Sequence, residues 1–481
     1  MGIPLLMGKR QRFGQTAPIV VDPGPGDEDL TVPLVTPIGR SHGVIESLSV
    51  GLQPTGGVWT DVTAAQFQTD LQYLGFSEVR MSRVDTNQAN QSRLMNLAGD
   101  VGYKANIIID DVGAQTIESR WAHVKAAWNR IQVVRVEMAN EPQNGGGWTP
   151  ATWPLGVAAT PTYTGASNDL PVNEVHAQQR RLHATVRGDA DPVLSRIPIA
   201  CSSLALRDQA AWWGSYARNR PVDGPVGERS FFSDFNFHMY QAGRRFRKKF
   251  TESRETAPET INAARAAFPE SAAAPLLFSE TGFHNFTGAD SHNPTPEDVA
   301  GIYAADFPFE AATLGIGVIS FHQMYNDDRH AAGREGYFGL FRAPGDPKPI
   351  ADTLHRITGL YADPGATAVP LKPLRFSISG GGTDLRSQLR QRRDGSWDLA
   401  LWRDVSIYTP ATSIAAGTRL ANPAPTNVTL KFSRARTVTG YTPYSAAAPT
   451  LAATTGTVVG SGPARQVVVP VDHNLRTLRI V

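Results

Sequence analysis

Between residues 43 and 361, short apolar segments alternate with segments in which apolar residues recur at helical spacing. The spacing is clearest at Ile117, Trp121, Val124, Trp128 and Ile131, which follow one another in steps of four and three residues. Strands that alternate with helices are typical of a parallel sheet. The predicted strands span residues 44–50, 77–84, 105–110, 133–141, 197–202, 231–240, 275–280 and 317–322. We therefore predict a (β/α)8 barrel, with this helical stripe packed against its outside.

The fourth predicted strand ends on a carboxylate. It begins as an alternating, β-branched run at residues 133–136 and ends in Asn140-Glu141-Pro142, where proline stops the ladder. The ends of barrel strands are held rigidly, while the loops beyond them form the cleft. By itself the tripeptide is a weak motif, because an ordinary polar turn has the same composition.

A second carboxylate has the same setting at the end of the seventh strand. There an apolar run ends in Glu280, which is followed by Thr281 and a glycine. In the sixth strand, Asn236, His238 and Tyr240 stand at every second position, so their side chains share one face. The sequence therefore predicts a polar cluster where strands four, six and seven end.

Taken together, the Asn-Glu-Pro ending, the His-x-Tyr strand and the later strand ending in glutamate resemble the clan A retaining glycoside hydrolases. The resemblance covers about residues 40–360. It implies a (β/α)8 barrel in which Glu141 is the acid/base after strand four and Glu280 is the nucleophile after strand seven. It also implies that no cofactor and no metal are required.

The same resemblance implies roles for residues around the two glutamates. Arg80, in the second strand, matches an arginine that lies near the nucleophile. Asn140 is expected to bind the sugar 2-hydroxyl, and Tyr240 to orient the nucleophile, with His238 supporting the pair.

The sequence departs from this family after strand eight. A tryptophan commonly follows that strand and forms the floor of the sugar site, whereas here the strand is followed by Gln323, Met324 and Tyr325. We therefore expect Gln323 or Tyr325 to take its place, or Trp148 from the long loop after strand four.

A dense basic run at residues 244–249 would favour an acidic glycan if it lies on the cleft; otherwise it is a solvated loop.

Composition limits the classes of partner. The chain has 46 basic and 44 acidic residues and no apolar stretch of about 20 residues, so we predict no nucleic-acid or membrane partner and expect a carbohydrate substrate. Its single cysteine, Cys201, excludes an internal disulfide and is predicted to be a buried thiol.

After residue 361, short alternating runs divided by Gly, Pro, Asn and Ala predict a small antiparallel β-sandwich over residues 362–481, following a barrel over residues 41–361.

Residues 1–40 are rich in proline, glycine and isolated charges. They predict an extended arm that binds a protein partner or a neighbouring copy. The only apolar stretch near the start, residues 3–7, precedes the basic run 9–12, which is the reverse of a secretory signal. We therefore expect a protein that is cytoplasmic or virion-associated.

The leading functional interpretation is a retaining glycosidase that cleaves O-glycosidic bonds of a poly- or oligosaccharide by double displacement. The alternative is a non-catalytic glycan-binding or structural barrel, such as a phage tail component, and a virion-bound glycosidase would combine the two. A third hypothesis, a metal-dependent hydrolase that uses Asp110, Asp111 and His238, has no metal-ligand spacing to support it. The sequence does not identify the glycan.

Overall fold

The computed structural model describes the chain from residue 61 to residue 481 with short gaps, together with two short strands before residue 61. The gaps are residues 82–83, 114, 145–146, 157–169, 206–208, 241–242, 247–255, 289–293, 328–329, 364–373, 411–416, 444–456 and 461. The strands before residue 61 are Leu34–Val35 and Ser49–Leu52.

Eight parallel strands lie between residues 49 and 321. They are β1 (Ser49–Leu52), β2 (Glu78–Met81), β3 (Lys104–Ile108), β4 (Gln132–Glu137), β5 (in two pieces, Ile199–Ala200 and Leu204–Ala205), β6 (Phe235–His238), β7 (Leu276–Thr281) and β8 (Ile316–Phe321). Parallel ladders join β2 to β8 in chain order, and β8 pairs with β1. Because β1 also lies beside β2, the sheet closes on itself. The predicted (β/α)8 barrel is confirmed.

Helices cover the outside of the barrel. They are α1 (Ala64–Leu74), α2 (Ala89–Asp100), α3 (Ile117–Ala127), α4 (Val172–Arg187), α5 (Gln209–Tyr216), α6 (Ala257–Ala267), α7 (Glu297–Ala304), α8 (Phe307–Thr313) and α9 (Pro349–Tyr361). Short 3₁₀ turns are Leu194–Arg196, Pro269–Ser271 and Arg334–Tyr337. The start of α6 shows why these segments are helical: the side chains of Thr256 and Glu259 each accept a hydrogen bond from the other's backbone N–H. No helix in the described part of the chain has the length and apolar character to cross a membrane.

The predicted aromatic stripe of α3 packs as expected. Ile117, Trp121 and Val124 are buried in the main core cluster, between the helices and the outer face of the barrel. Because the apolar stripe is buried in this packing, its tryptophans are not available to a sugar.

Layers of ion pairs cross the inside of the barrel. Arg135 in β4 pairs with Glu78 at 3.0 Å and with Asp234 at 3.3 Å. Two residues further along two of these strands, Arg80 in β2 pairs with Glu137 in β4 at 2.9 Å. Since alternate residues of a strand share one face, these ionic layers are stacked and lead towards the carboxyl ends of the strands.

Replacing Arg135 with methionine is expected to lower the free energy of unfolding by about 3–5 kcal/mol, because Glu78 and Asp234 would remain in the barrel interior without their arginine. Urea denaturation followed by circular dichroism would measure the change. Arg130→Met is the matched control: Arg130 pairs with Asp100 but is 52% exposed, so little change is expected there. Equal effects in the two variants would contradict the assignment.

A β-sandwich follows the barrel, as predicted. One antiparallel sheet of four strands contains β9 (Leu374–Gly380), β12 (Thr426–Arg436) and β15 (Ala464–Val471), with its remaining strand described below. The other contains β10 (Leu385–Gln391), β11 (Trp397–Arg403), β13 (Val438–Tyr441), β14 (Thr457–Val458) and β16 (Arg476–Ile480). Two small antiparallel pairs are Phe341–Ala343 with Asp346–Pro347, and Tyr408–Thr409 with Thr418–Arg419. Alternation fixes the inner face: Val467, Val469 and Val471 are buried, whereas Val468 is exposed.

Part of the predicted arm belongs to the sandwich. Leu34–Val35 pairs antiparallel with Leu374 and Arg375 at the edge of the first sheet. The remainder of residues 1–40 lies outside the described residues, so its binding to a partner stays a prediction.

Within the basic run, Arg245 does not take part in an acidic-glycan site. Arg245 is buried between barrel and sandwich, and its guanidinium pairs with Asp306 and donates to the carbonyl oxygens of Val405 and His473. An arginine with these partners joins the two parts of the chain and cannot reach a sugar. Residues 247–249 lie outside the described residues.

Candidate active site

Glu141 lies just beyond β4, at the mouth of the barrel. Its φ of +48° is a left-handed conformation that is uncommon for residues other than glycine, and its N–H donates to the carbonyl oxygen of Ser203 at 3.0 Å. The two side-chain oxygens accept hydrogen bonds from His238 Nδ1 at 2.7 Å and Asn144 Nδ2 at 2.8 Å. The side chain remains 19% exposed, so it can contact a ligand in the cleft.

Glu280 lies near the end of β7 and is almost completely buried. Arg80 Nη1 donates to Oε1 at 2.9 Å, and the hydroxyl of Tyr240 donates to Oε2 at 2.9 Å. His238 Nδ1 lies 3.2 Å from Oε2. Both carboxylate oxygens are therefore held by donors, which favours the ionised form.

The environment of Glu280 determines its protonation state. Burial alone would raise the pKa of this carboxyl group, but the nearby His238, Arg80 and His322 stabilise its negative charge. Together with the hydrogen bond from Tyr240, they outweigh burial and lower the pKa of Glu280 to about 2. Glu280 is thus a carboxylate at neutral pH.

Tyr240 is held in its protonated form. Burial raises the pKa of its phenol well above the usual value, and the carboxylates of Glu280, Glu141 and Glu335 raise it further. The hydroxyl therefore keeps the proton that it donates to Glu280.

Arg80 is the point where the site joins the polar interior of the barrel. Besides Glu280, it bonds Glu137 and donates from Nη2 to Asn140 Oδ1 at 3.0 Å. Although burial would lower the pKa of Arg80, the carboxylates of Glu137 and Glu280 raise it above its usual value. Glu137 is held in turn by the side-chain amide of Asn236, which donates to Oε2 at 2.9 Å. Glu137 therefore fixes the position of the Arg80 guanidinium, and the guanidinium in turn fixes the side chain of Asn140.

The tautomer of His238 follows from its partners. Nε2 lies 3.3 Å from Arg80 Nη2, and because a guanidinium can only donate, Nε2 accepts. The ring proton is then on Nδ1, which faces the carboxylates of Glu141 and Glu280. The Nδ1–H group of His238 thus faces both glutamates as a hydrogen-bond donor.

The two carboxyl groups lie close together. One oxygen of Glu141, one of Glu280 and a ring nitrogen of His238 all lie within 4.8 Å of one another. Three such atoms are also a possible metal-ligand set, but Arg80 bonds Glu280 directly, and its positive charge opposes a cation at the same place.

The three residues of the metal hypothesis are not brought together. Asp110 pairs with Arg120, and Asp111 pairs with Arg181, which lies on α4. Within the described ranges, neither aspartate forms a possible metal-ligand group with His238. Both aspartates are instead part of the packing between β3 and the helices beside it.

Of the three residues expected to replace the missing tryptophan, Tyr325 is directed away from the site, and the role of the other two stays a prediction. Tyr325 is fully buried, and its hydroxyl donates to Asp70 of α1 at 2.7 Å, so this expectation is wrong. Gln323 is 1% exposed, and its side chain donates to the carbonyl oxygen of Glu335 at 3.2 Å. Trp148 is partly buried and packs on the barrel core.

A different residue occupies the end of β8. His322 follows the strand directly, after a backbone N–H bond to the Thr281 carbonyl oxygen at 2.8 Å, and precedes a cis peptide bond to Gln323. Its ring lies 6.3 Å from that of Tyr240 and 5.6 Å from that of Phe338. Our sequence prediction missed His322 as a site residue, although its position immediately after an apolar strand was a usable signal. Glu137 was missed as well, although it shares the inward face of β4 with Arg135.

No protein-family model matches the sequence, and no curated protein matches it. Solved structures do resemble it. One is a family 39 glycoside hydrolase from the gut symbiont Bacteroides cellulosilyticus WH2, with a TM-score of 0.53 and 13% identity over 91% of this chain and 82% of that one. Another is a glucosidase from Croceicoccus marinus, with a TM-score of 0.54 and 11% identity over 94% of this chain and 99% of that one. The chain therefore shares the overall fold of these glycoside hydrolases, as the resemblance in its sequence predicted.

Proposed function

We propose that the protein is a retaining glycoside hydrolase that acts on an oligo- or polysaccharide, with Glu280 as nucleophile and Glu141 as acid/base. The observation that carries the proposal is that two carboxyl groups lie close together and have different hydrogen-bond partners. Oxygens of the two groups lie within 4.8 Å, which fits the separation of about 5 to 5.5 Å typical of retaining enzymes better than the wider spacing that admits a water. Among the described contacts, the positively charged Arg80 bonds Glu280 and not Glu141, and this favours Glu280 as the ionised member of the pair.

In the first step, an oxygen of Glu280 attacks the anomeric carbon and forms an ester bond. The glycosidic C–O bond breaks, and Glu141 gives its proton to the leaving oxygen. In the second step, Glu141 takes a proton from water as the water oxygen attacks the anomeric carbon. The ester bond breaks, and Glu280 returns to its carboxylate form.

Asn140 is suited to hold the sugar. Its Oδ1 accepts from Arg80, so the side-chain amide has a fixed orientation, with its Nδ2 protons available to the 2-hydroxyl. A hydrogen bond to that hydroxyl strengthens in the transition state of glycoside hydrolysis.

A screen of 4-nitrophenyl glycosides and oligosaccharides, with and without chelator, would test the proposal. We expect turnover that chelator does not affect, and a first-formed product that keeps the anomeric configuration of the substrate in proton NMR. Inverted product would exclude the double displacement. Specific glycan binding without turnover would favour a non-catalytic barrel.

Replacing Tyr240 with phenylalanine is expected to move the acidic limb of the kcat/KM profile to higher pH. The depressed pKa of Glu280, about 2, means that its carboxylate is lost only as the pH falls through that value. Without the Tyr240 hydrogen bond the carboxylate is less stabilised, so its pKa rises, by about one unit for one charge-assisted bond. Tyr337→Phe, in which the hydroxyl of a ring stacked on Phe286 is lost, is the control and should leave the limb in place.

A further inference from the structure

The ring of His322 lies beside Tyr240, the residue whose hydroxyl donates to Glu280. It lies nearly perpendicular to the ring of Tyr240, at 85°, with the Phe338 ring behind both. It is also close enough to Glu280 to contribute to the low pKa of that carboxyl group, after burial, His238 and Arg80. The residue is partly exposed, unlike its neighbours Phe321 and Gln323. A sugar placed for attack by Glu280 would therefore contact this imidazole.

The two nitrogens of the His322 ring are in different situations. Nδ1 is buried and has no hydrogen-bond partner within the described ranges. A proton on Nδ1 would be a buried N–H group without an acceptor, and orphaned N–H groups are rarer in proteins than under-satisfied acceptors. The favoured tautomer carries its proton on Nε2, so the accessible edge of the ring presents a single N–H donor.

The charges around the site select against an anionic sugar. Glu280 is ionised, and Glu335, whose side chain is 56% exposed and pairs with Arg334, is near enough to raise the pKa of Tyr240. Arg80, the arginine that bonds Glu280, is already paired with two carboxylates. A sugar carboxylate bound beside Glu280 would therefore meet a like charge.

We propose that His322 is a specificity-determining residue that donates a hydrogen bond from Nε2 to a hydroxyl group of a neutral sugar bound against Glu280. This proposal rests on the function proposed above. It adds that the sugar is neutral and that His322 is the side chain that recognises one of its hydroxyl groups. A site built to bond a hydroxyl group discriminates strongly against analogues that lack it, which a hydrophobic platform does not do.

The test uses the full-length chain and kinetics on paired substrates. The best neutral 4-nitrophenyl glycoside of the wild type, its set of monodeoxy analogues and the corresponding glycuronide are compared in the wild type, His322→Phe and His322→Gln. His322→Phe should lower kcat/KM for the parent glycoside about tenfold, and should have no effect on the one analogue whose missing hydroxyl group is the partner. His322→Gln, which can present an N–H near the same position, should recover most of the loss. His330→Phe, which changes an exposed histidine, is the matched control.

Each outcome has a separate meaning. An equal loss on every deoxy analogue would show that the ring only packs, and would overturn the role of His322 while leaving the glycosidase intact. A wild-type preference for the glycuronide would overturn the neutral-sugar assignment. If the wild type turns over no glycoside, and Glu280 is not labelled by a panel of 2-deoxy-2-fluoro glycosides, the proposed function fails and this inference fails with it.

Discussion

Glu280→Gln is expected to abolish turnover, with a loss in kcat of about 10⁴-fold or more, because the amide cannot form the glycosyl ester. The fold should persist. The amide can rotate so that its oxygen accepts from Arg80, while its NH₂ group donates to the Tyr240 oxygen. Arg80 also keeps Glu137 as a charged partner at 2.9 Å.

Two measurements would check this result. Hydrolysis of a good 4-nitrophenyl glycoside gives the loss of rate, and thermal unfolding shows whether the fold is retained. A 2-deoxy-2-fluoro glycoside should label Glu280 in the wild type, as seen by mass spectrometry of the peptide, and should leave the variant unlabelled. Glu335→Gln changes an exposed carboxylate near the site and is the matched control. Undiminished activity of Glu280→Gln would end the proposed mechanism.

Glu141→Ala is expected to affect the two chemical steps differently. A substrate with a good leaving group, such as a dinitrophenyl glycoside, needs no proton in the first step, so the glycosyl ester still forms. Its hydrolysis then lacks a base and becomes slow, so the ester accumulates and KM falls. For an unactivated glycoside, kcat should fall by about 10² to 10⁴-fold.

Azide distinguishes this role from a structural one. In Glu141→Ala, the anion can enter the space left by the side chain, attack the ester and release a glycosyl azide of retained configuration. Rates on the dinitrophenyl substrate should rise with azide concentration. Asn144→Ala, which removes a hydrogen-bond partner of Glu141 but keeps the carboxyl group, should show no such rescue. An azide product of inverted configuration from a Glu280→Ala protein, with none from Glu141→Ala, would refute the assignment of Glu141.

Strand alternation is why much of the site could be predicted. Asn236, His238 and Tyr240 share one face of β6 and its continuation, and glutamates at the ends of β4 and β7 meet because all barrel strands end at the same face. The direct bond between Glu280 and Arg80, 200 residues apart in the sequence, follows from the same geometry.

The expectation for Tyr325 was wrong because tertiary packing, and not the local sequence, determines where its side chain lies. The hydroxyl of Tyr325 donates to Asp70 on α1. Arg245 belongs to the basic run, for which a cleft site and a solvated loop were both open, and it is buried between the two parts of the chain. Neither orientation is encoded in local spacing. His322 and Glu137 were missed for the related reason that their significance depends on neighbours from distant strands, namely Tyr240 and Arg80.

The pairing of Leu34 with Arg375 has a consequence for the order in which the molecule is assembled. The two residues are separated by about 340 positions, so during synthesis this strand is made long before its partner, and the ribosome must complete the whole barrel first. Domains generally fold as units while the chain emerges, so the sandwich edge can be completed only after the barrel between its two strands has been translated. If the barrel has folded by then, it brings the early strand near β9, and the chain entropy lost in closing so long a loop is much smaller than it would be for an unfolded connection.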